Sequence, residues 1–423
     1  MAGAFRFATS LYARRLGIAY YATVRRDPMA LLNGRAGRED PYPIYERVRR
    51  QGTVVPTRLG MYVTPSHRVC NEVLRDRRFG VRSGERVAPV SADEEFDMSF
   101  LDRDPPDHTR LRRLAQPAFS PRRMAGYRPR VVAQIDRLLD ATPAGTFDLV
   151  SSFAAPLPIA VITDLLGVPD ADATRFAAVG TVIGSALGGI RSLAHAARLR
   201  AASDSLRALF EELFARRRAS PADDVISRIL AASPGEIRPG EIRPLCTLLL
   251  VAGFETTVNL IGNAVHALLS HPAQWADLCD DPAGLAAAAI EETLRWDPPV
   301  QRTARCAAED LVLDGVPVRR GQFVVTMLAA ANRDPEVFSR PSSFDIHRTP
   351  EADHLAFSSG IHYCVGAPLA RMEATLGLQR LAERMPGLVR AGAVRRRTSS
   401  IVRGPINFPV RAGAPARYAS AHG

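Results

Sequence analysis

Helical periodicity dominates the chain. Apolar residues recur at three- and four-residue spacing through 109–118, 121–140, 155–166, 170–187, 192–218 and 222–232, the repeat of a helix with one buried face. A short helix is predicted over 43–50 and a longer one from Ala367 to about Met385. Residues 245–269 are apolar nearly all round and carry one charge, Glu255. About twenty apolar residues suffice to cross a bilayer. Gly253, Glu255, Thr256, Thr257, Asn259, Asn263 and His266 interrupt the run, and hydrocarbon tolerates such groups poorly. The pattern therefore predicts a helix buried inside a large protein. Just before it, two copies of Gly-Glu-Ile-Arg-Pro between Gly235 and Pro244 predict a turn.

Strand patterns are few and short. A hairpin is predicted over 52–65, with strands around Val54 and Met61. Further strands are predicted at 311–313, 316–318, 323–327 and within 401–410. Residues 80–100 show no clear period and read as a long loop, a feature that often forms a lid or binding wall. No Pro/Gly/Ser linker divides the sequence, so a single mainly α domain with small peripheral sheets is expected over 1–423. Residues 1–35 read as an N-terminal extension and 412–423 as a flexible tail.

Composition narrows the function classes. All 55 basic residues are arginine, against 44 acidic ones, giving a net charge of +11. An excess of that size fits nucleic acid, an anionic membrane or an acidic protein. Zinc-finger spacing, basic heptads and RNP-like strands are all missing from the sequence, so nucleic acid is not expected. Five scattered cysteines without a CxxC pair argue against disulfides and zinc and suit a reducing cytoplasm. Leu16 to Val24 is apolar and flanked by arginines 14, 15, 25 and 26. It is too short to span a bilayer. Packing on the fold is expected, with weak contact to a membrane surface as the alternative.

The chemistry concentrates in the loop Phe357-Ser358-Ser359-Gly360-Ile361-His362-Tyr363-Cys364-Val365-Gly366, which delivers a cysteine just ahead of a helix. Gly360 and Gly366 are expected to supply positive φ for a tight turn around the sulfur. Backbone N–H groups at the helix start would then favour the thiolate. Such a thiolate is a metal ligand or a nucleophile. The loop resembles the haem-ligand segment of the cytochrome P-450 superfamily, Phe-Gly-x-Gly-x-His-x-Cys-x-Gly. It matches at Phe357, Gly360, His362, Cys364 and Gly366, and departs at Ser358, where the family usually has glycine. A serine fits there comfortably only if its φ is negative.

The rest of the chain extends the resemblance, in the style of soluble actinobacterial and mycobacterial members. Ala252-Gly253-Phe254-Glu255-Thr256-Thr257 is similar to the family's oxygen-binding stretch, with Ala252 and Gly253 letting the helix approach a flat cofactor. Glu292 and Arg295 match the family's buried Glu-x-x-Arg pair. Its usual third basic partner is replaced by serine in Pro341-Ser342-Ser343-Phe344, and Arg348 is the candidate substitute. His108, Arg112, Arg305 and His362 are similar to residues that hold the two haem propionates.

The resemblance implies a haem-thiolate monooxygenase in which Cys364 ligates the iron of haem b, buried between the long helix and the cysteine loop. Glu255 and Thr256 would deliver protons. It implies electrons from a ferredoxin and its reductase, with Arg110, Arg113 and Arg371 facing the donor, and a lipophilic substrate (lipid, sterol, terpenoid or polyketide). The pocket is expected from residues 80–100, 181–193, Leu249, Val300 and Thr303. Peroxide-using or oxygen-free members commonly lack the acid–alcohol pair, and a non-catalytic haem carrier would not need it.

Overall fold

The computed structural model describes residues 12, 15–81, 97–185, 190, 192–233 and 235–413. The body is built from helices over Tyr42–Arg49 (α1), His67–Arg75 (α2), Asp107–Ala115 (α3), Pro121–Asp140 (α4), Pro156–Leu166 (α5), Asp170–Gly184 (α6), Leu193–Ala219 (α7), Pro239–Leu269 (α8), Pro282–Trp296 (α9) and Ala367–Arg384 (α10). The central helix α8 packs against α5, α6, α9 and α10. It is long and apolar enough to cross a membrane, but 78% of its most apolar window is buried inside the fold. Its apolar circumference serves the core, as a helix hydrophobic all round must.

The turn predicted ahead of α8 is shorter than expected. Pro239 sits in the first helical turn, where its missing N–H costs nothing. The Glu241 carboxylate accepts from the Arg238 N–H at 2.8 Å. Pro244 lies inside the helix and forfeits one backbone bond there.

Val55–Pro56 (β1), Tyr62–Thr64 (β2), Phe79–Gly80 (β3), Thr303–Ala307 (β4) and Phe323–Thr326 (β5) form one sheet in the order β1-β2-β5-β4-β3. Strand β4 escaped the sequence pattern because Thr303, Ala304 and Arg305 supply no large apolar side chain. It is fixed by antiparallel pairing with β5, Thr303 opposite Thr326 and Arg305 opposite Val324.

Both ends of the described chain join the body sooner than expected. Met29 and Leu32, on a helix capped by Asp27, pack with Tyr45, Val48 and Val63. Ala412 pairs with Leu388 in a strand. Within the predicted 80–100 loop, Ser99–Asp102 is a 3-10 helix, and positions 82–96 lie outside the described residues.

Candidate active site

The cysteine loop closes on α2. A Cβ at Gly360, whose φ is +66°, would collide with the carbonyl oxygen of Leu74, so only glycine fits. Gly366 behaves otherwise than expected. Its φ is −87° and a Cβ there would meet only Phe119 at 3.8 Å. Its contribution is its place as N-cap of α10, where the Gly366 and Ala367 N–H groups favour ionisation of the Cys364 sulfur.

Ser358 adopts φ +64°, the left-handed conformation in which a side chain costs about 1–2 kcal/mol. Its hydroxyl is buried with no hydrogen-bond partner among the described residues, so it does not touch the sulfur. Ser358→Gly is therefore expected to stabilise the protein by about 1 kcal/mol, after the extra chain entropy of glycine is subtracted. Urea denaturation of the two proteins measures this; a destabilised variant would refute the strain argument.

Cys364 combines two properties rarely found together. Its side chain presents open surface, yet burial is the main influence on its thiol and pushes the pKa up, against the pull of the two N–H groups, Arg112 and Arg371. The sulfur is thus enclosed by protein and faces open space. The N–H groups pull toward the thiolate as the sequence suggests, while burial pulls the other way.

Four basic side chains converge nearby. His108 and Arg112 share a face of α3. His108 is 2% exposed, and neither ring nitrogen has a hydrogen-bond partner among the described residues. Its ring lies 4.4 Å from that of His362, whose Nε2 is also buried and unpartnered. Arg305 projects from β4 and is 5% exposed. Burial pushes Arg305 down to about 10. Burial, then Arg305, His108 and Arg112, push His362 down to about 3. Asp104 is the acidic neighbour felt by His108 and Arg305. Two arginines beside two imidazoles whose pKa values their charge and burial push down form a pocket of positive potential and N–H donors complementary to a buried dianion.

At mid-α8, Ala252 is exposed and Thr256 half-exposed between stretches 248–251 and 257–265 that are wholly buried, so this face also opens onto space. The Thr256 hydroxyl donates to the Ala252 carbonyl at 3.1 Å, a back-bond that loosens a helix. Glu255 is 2% exposed. Burial raises its pKa, and Arg397, at 2.6 Å, opposes that rise. Arg397 also donates to Asn259 at 2.8 Å. Arg397 was not foreseen; it lies over a hundred residues away in the sequence, and no local spacing links it to Glu255.

Comparisons with known proteins agree with this geometry. The family model Cytochrome P-450 matches residues 284–385. Cytochrome P-450 140 of Mycobacterium tuberculosis is 38% identical over 421 residues, covering 95% of each chain. The chain belongs to the cytochrome P-450 family. The ligand-free crystal structure of Mycobacterium smegmatis CYP164A2 superposes with a TM-score of 0.83 at 38% identity, covering 91% of this chain and 99% of that one. The BioI cytochrome P-450, solved with an acyl carrier protein ligated with hexadec-9Z-enoic acid, gives 0.81 at 34% identity, covering 89% and 99%.

As a cytochrome P-450, the chain is a haem-dependent monooxygenase with the fold the sequence resemblance implied. Its donor set fits haem. Among the described residues there is no group of three His, Cys, Asp or Glu that could hold a bare metal ion, so a lone thiolate must receive a metal already coordinated by other atoms. The orphaned nitrogens of His108 and His362, with Arg112 and Arg305, suit a cofactor carrying two carboxylates.

The other predicted positions have varied surroundings. A Cβ at Gly253 would strike Ile162 of α5 at 2.7 Å, so its smallness serves helix packing rather than the cofactor face. Leu249 is 3% exposed and belongs to the main core, so it lines no open pocket. Val300 pairs with Val402 and packs with Cys70, Leu74 and Leu328; Thr303 is half-buried. Phe357 packs under the Arg371 guanidinium at 4.5 Å. Two proposed donor-facing cations are already neutralised: Arg110 by Asp107 and Glu241, Arg371 by Glu291. Arg113 is exposed. Of the predicted 181–193 wall, positions 186–189 and 191 lie outside the described residues.

Glu373 on α10 was missed, because an acid in a charged stretch reads as surface. It is fully buried. The Thr257 hydroxyl is its polar neighbour, but that group donates to Gly253 at 3.4 Å, and neither Glu373 oxygen has a partner of good geometry among the described residues. Desolvation raises its pKa well above the carboxylate range, so the folded protein holds it neutral. Below the unfolded value of about 4.3 both states carry the proton and nothing is lost. Above it, unfolding releases the proton, and stability falls by about 1.4 kcal/mol per pH unit until the raised folded value is reached. Glu373→Gln removes this dependence. Its stability relative to the parent should improve steadily from about pH 5 to 7, read by urea denaturation. A pH-independent difference would show that Glu373 titrates normally.

Proposed function

We propose that this enzyme inserts one oxygen atom of dioxygen into a C–H bond of a lipophilic small molecule, most closely a long-chain lipid, with electrons from a ferredoxin and its reductase. The observation that carries the reading is the open face at mid-α8, where a buried acid held by Arg397 adjoins a half-exposed alcohol. The relative solved with a fatty-acyl carrier protein supports the lipid class, and exposed Arg113 gives an acidic donor a place to meet the enzyme.

Cys364 would ligate the haem iron, with His108, Arg112, Arg305 and His362 holding the propionates. Haem with a thiolate ligand supplies the oxygen-activating chemistry. The protein contributes proton control. Glu255, whose pKa burial raises against the pull of the half-buried Arg397, carries protons inward. Thr256 leaves its bond to Ala252 and orients a proton at the oxygen-binding face. The apolar surroundings exclude stray water.

Thr256→Ala should leave cofactor and oxygen consumption near the parent rate while product falls and peroxide rises. Glu255→Gln should slow product formation about 100-fold, the scale of a lost general acid. A spin-shift screen of fatty acids and polyketides identifies the substrate for these assays. Full coupling in Thr256→Ala would overturn the relay, and a peroxide-supported reaction indifferent to both changes would favour the peroxide-using alternative.

A further inference from the structure

We propose that the N-terminal helix is an interfacial anchor that seats the enzyme on an anionic lipid bilayer. Residues 15–23 are helical. One side of this helix, Gly17, Ile18, Tyr21 and Ala22, is half-buried. Tyr12, just ahead of it, is 52% exposed, and the opposite side carries large apolar groups at every fourth position: Leu16, Tyr20 and Val24 are 72%, 49% and 64% exposed. Spacing of four places them along one ridge, and the Val24 N–H still donates to the Tyr20 carbonyl at 2.9 Å. These four supply much of the large apolar surface that the described residues expose.

The charges around the ridge identify its occupant. Arg15, Arg25 and Arg26 are exposed at its two ends, and the whole chain carries +11. Tyrosines and a leucine between arginines are the composition of a helix lying in a headgroup layer, its rings at the interface and its guanidiniums on lipid phosphates. A convex ridge of a single helix gives a protein partner no concavity to key into, whereas a bilayer accepts it directly. Charge complementarity favours acidic lipid over zwitterionic lipid.

The test uses the full-length haem-loaded protein. It should float with phosphatidylglycerol–phosphatidylcholine vesicles and be released by high salt, while phosphatidylcholine alone retains little. Leu16→Glu with Tyr20→Glu should cut the bound fraction at least ~10-fold, since a charge in the apolar face opposes insertion. Both side chains are exposed, so the thermal midpoint and visible spectrum should stay unchanged, confirming that the variant is folded. Arg15→Gln with Arg25→Gln should weaken binding to the anionic vesicles only. Failure of the parent to float, or undiminished binding of the folded glutamate variant, would overturn the proposal. So would sedimentation velocity showing that the ridge instead pairs two copies of the chain, with a dimer lost in the glutamate variant.

Discussion

Cys364→Ser should abolish the red-shifted band of the reduced carbon-monoxide complex and lower turnover by more than about 100-fold, beyond the cost of losing a partner that only orients a metal ligand. The expectation rests on how this sulfur differs from the other four. Cys70, Cys246 and Cys306 are buried; desolvation pushes Cys70 up to about 12, and raises the other two as well. Cys279 is half-buried and pushed up to about 11. Cys364 alone among the described cysteines presents open surface, ringed by two N–H groups and two arginines. A serine oxygen placed there is a harder, weaker donor and cannot push electron density as a thiolate does. Haem content should fall less than the spectrum changes, because the histidine and arginine cradle is untouched. Cys279→Ser is the control and should keep the band. A red-shifted band surviving in Cys364→Ser would end the ligand assignment.

The parts of the site legible in the sequence were those whose chemistry is local. Cys364 with Gly360, and Glu255 beside Thr256, each sit within a few residues of one another, so spacing alone placed them together. The i,i+4 pair His108 and Arg112 was legible for the same reason. Groups that meet only through the fold were not. Arg397 reaches Glu255 from the C-terminal strands, and Glu373 becomes buried only because α10 packs on α8. Ser358 shows a third limit: its identity was plain, but whether it stood at positive φ depended on how the loop closes over α2. The N-terminal helix was read as packing on the fold, and one side of it is half-buried there; only the fold shows which half the body covers. The helices followed from periodicity, with boundaries shifted where a proline sits inside α8 or a polar strand such as β4 is held by its neighbours.

Glu292→Ala should cost about 3–5 kcal/mol, the penalty for stranding buried charge. Glu292 and Arg295 are 4% and 3% exposed, and Arg295 donates to both carboxylate oxygens at 2.7 Å. Arg348 approaches the same carboxylate at 3.3 Å. It fills from five residues on the place left by Ser343, whose carbonyl accepts from Arg295 instead, at 2.8 Å. Arg295 also donates to the carbonyls of Asn332 and Pro341, and Glu292 accepts the Asp345 N–H at 2.9 Å. One carboxylate thus ties α9 to the 339–348 segment that leads into the cysteine loop. Removing it leaves two guanidiniums facing each other in a dry site, so the loss should exceed that of Arg348→Ala, which leaves the bidentate pair intact. Denaturant midpoints at constant slope give both values, and haem retention should follow the same order. A cost below about 1 kcal/mol for Glu292→Ala, the range of an exposed pair, would show that this junction does not hold the loop.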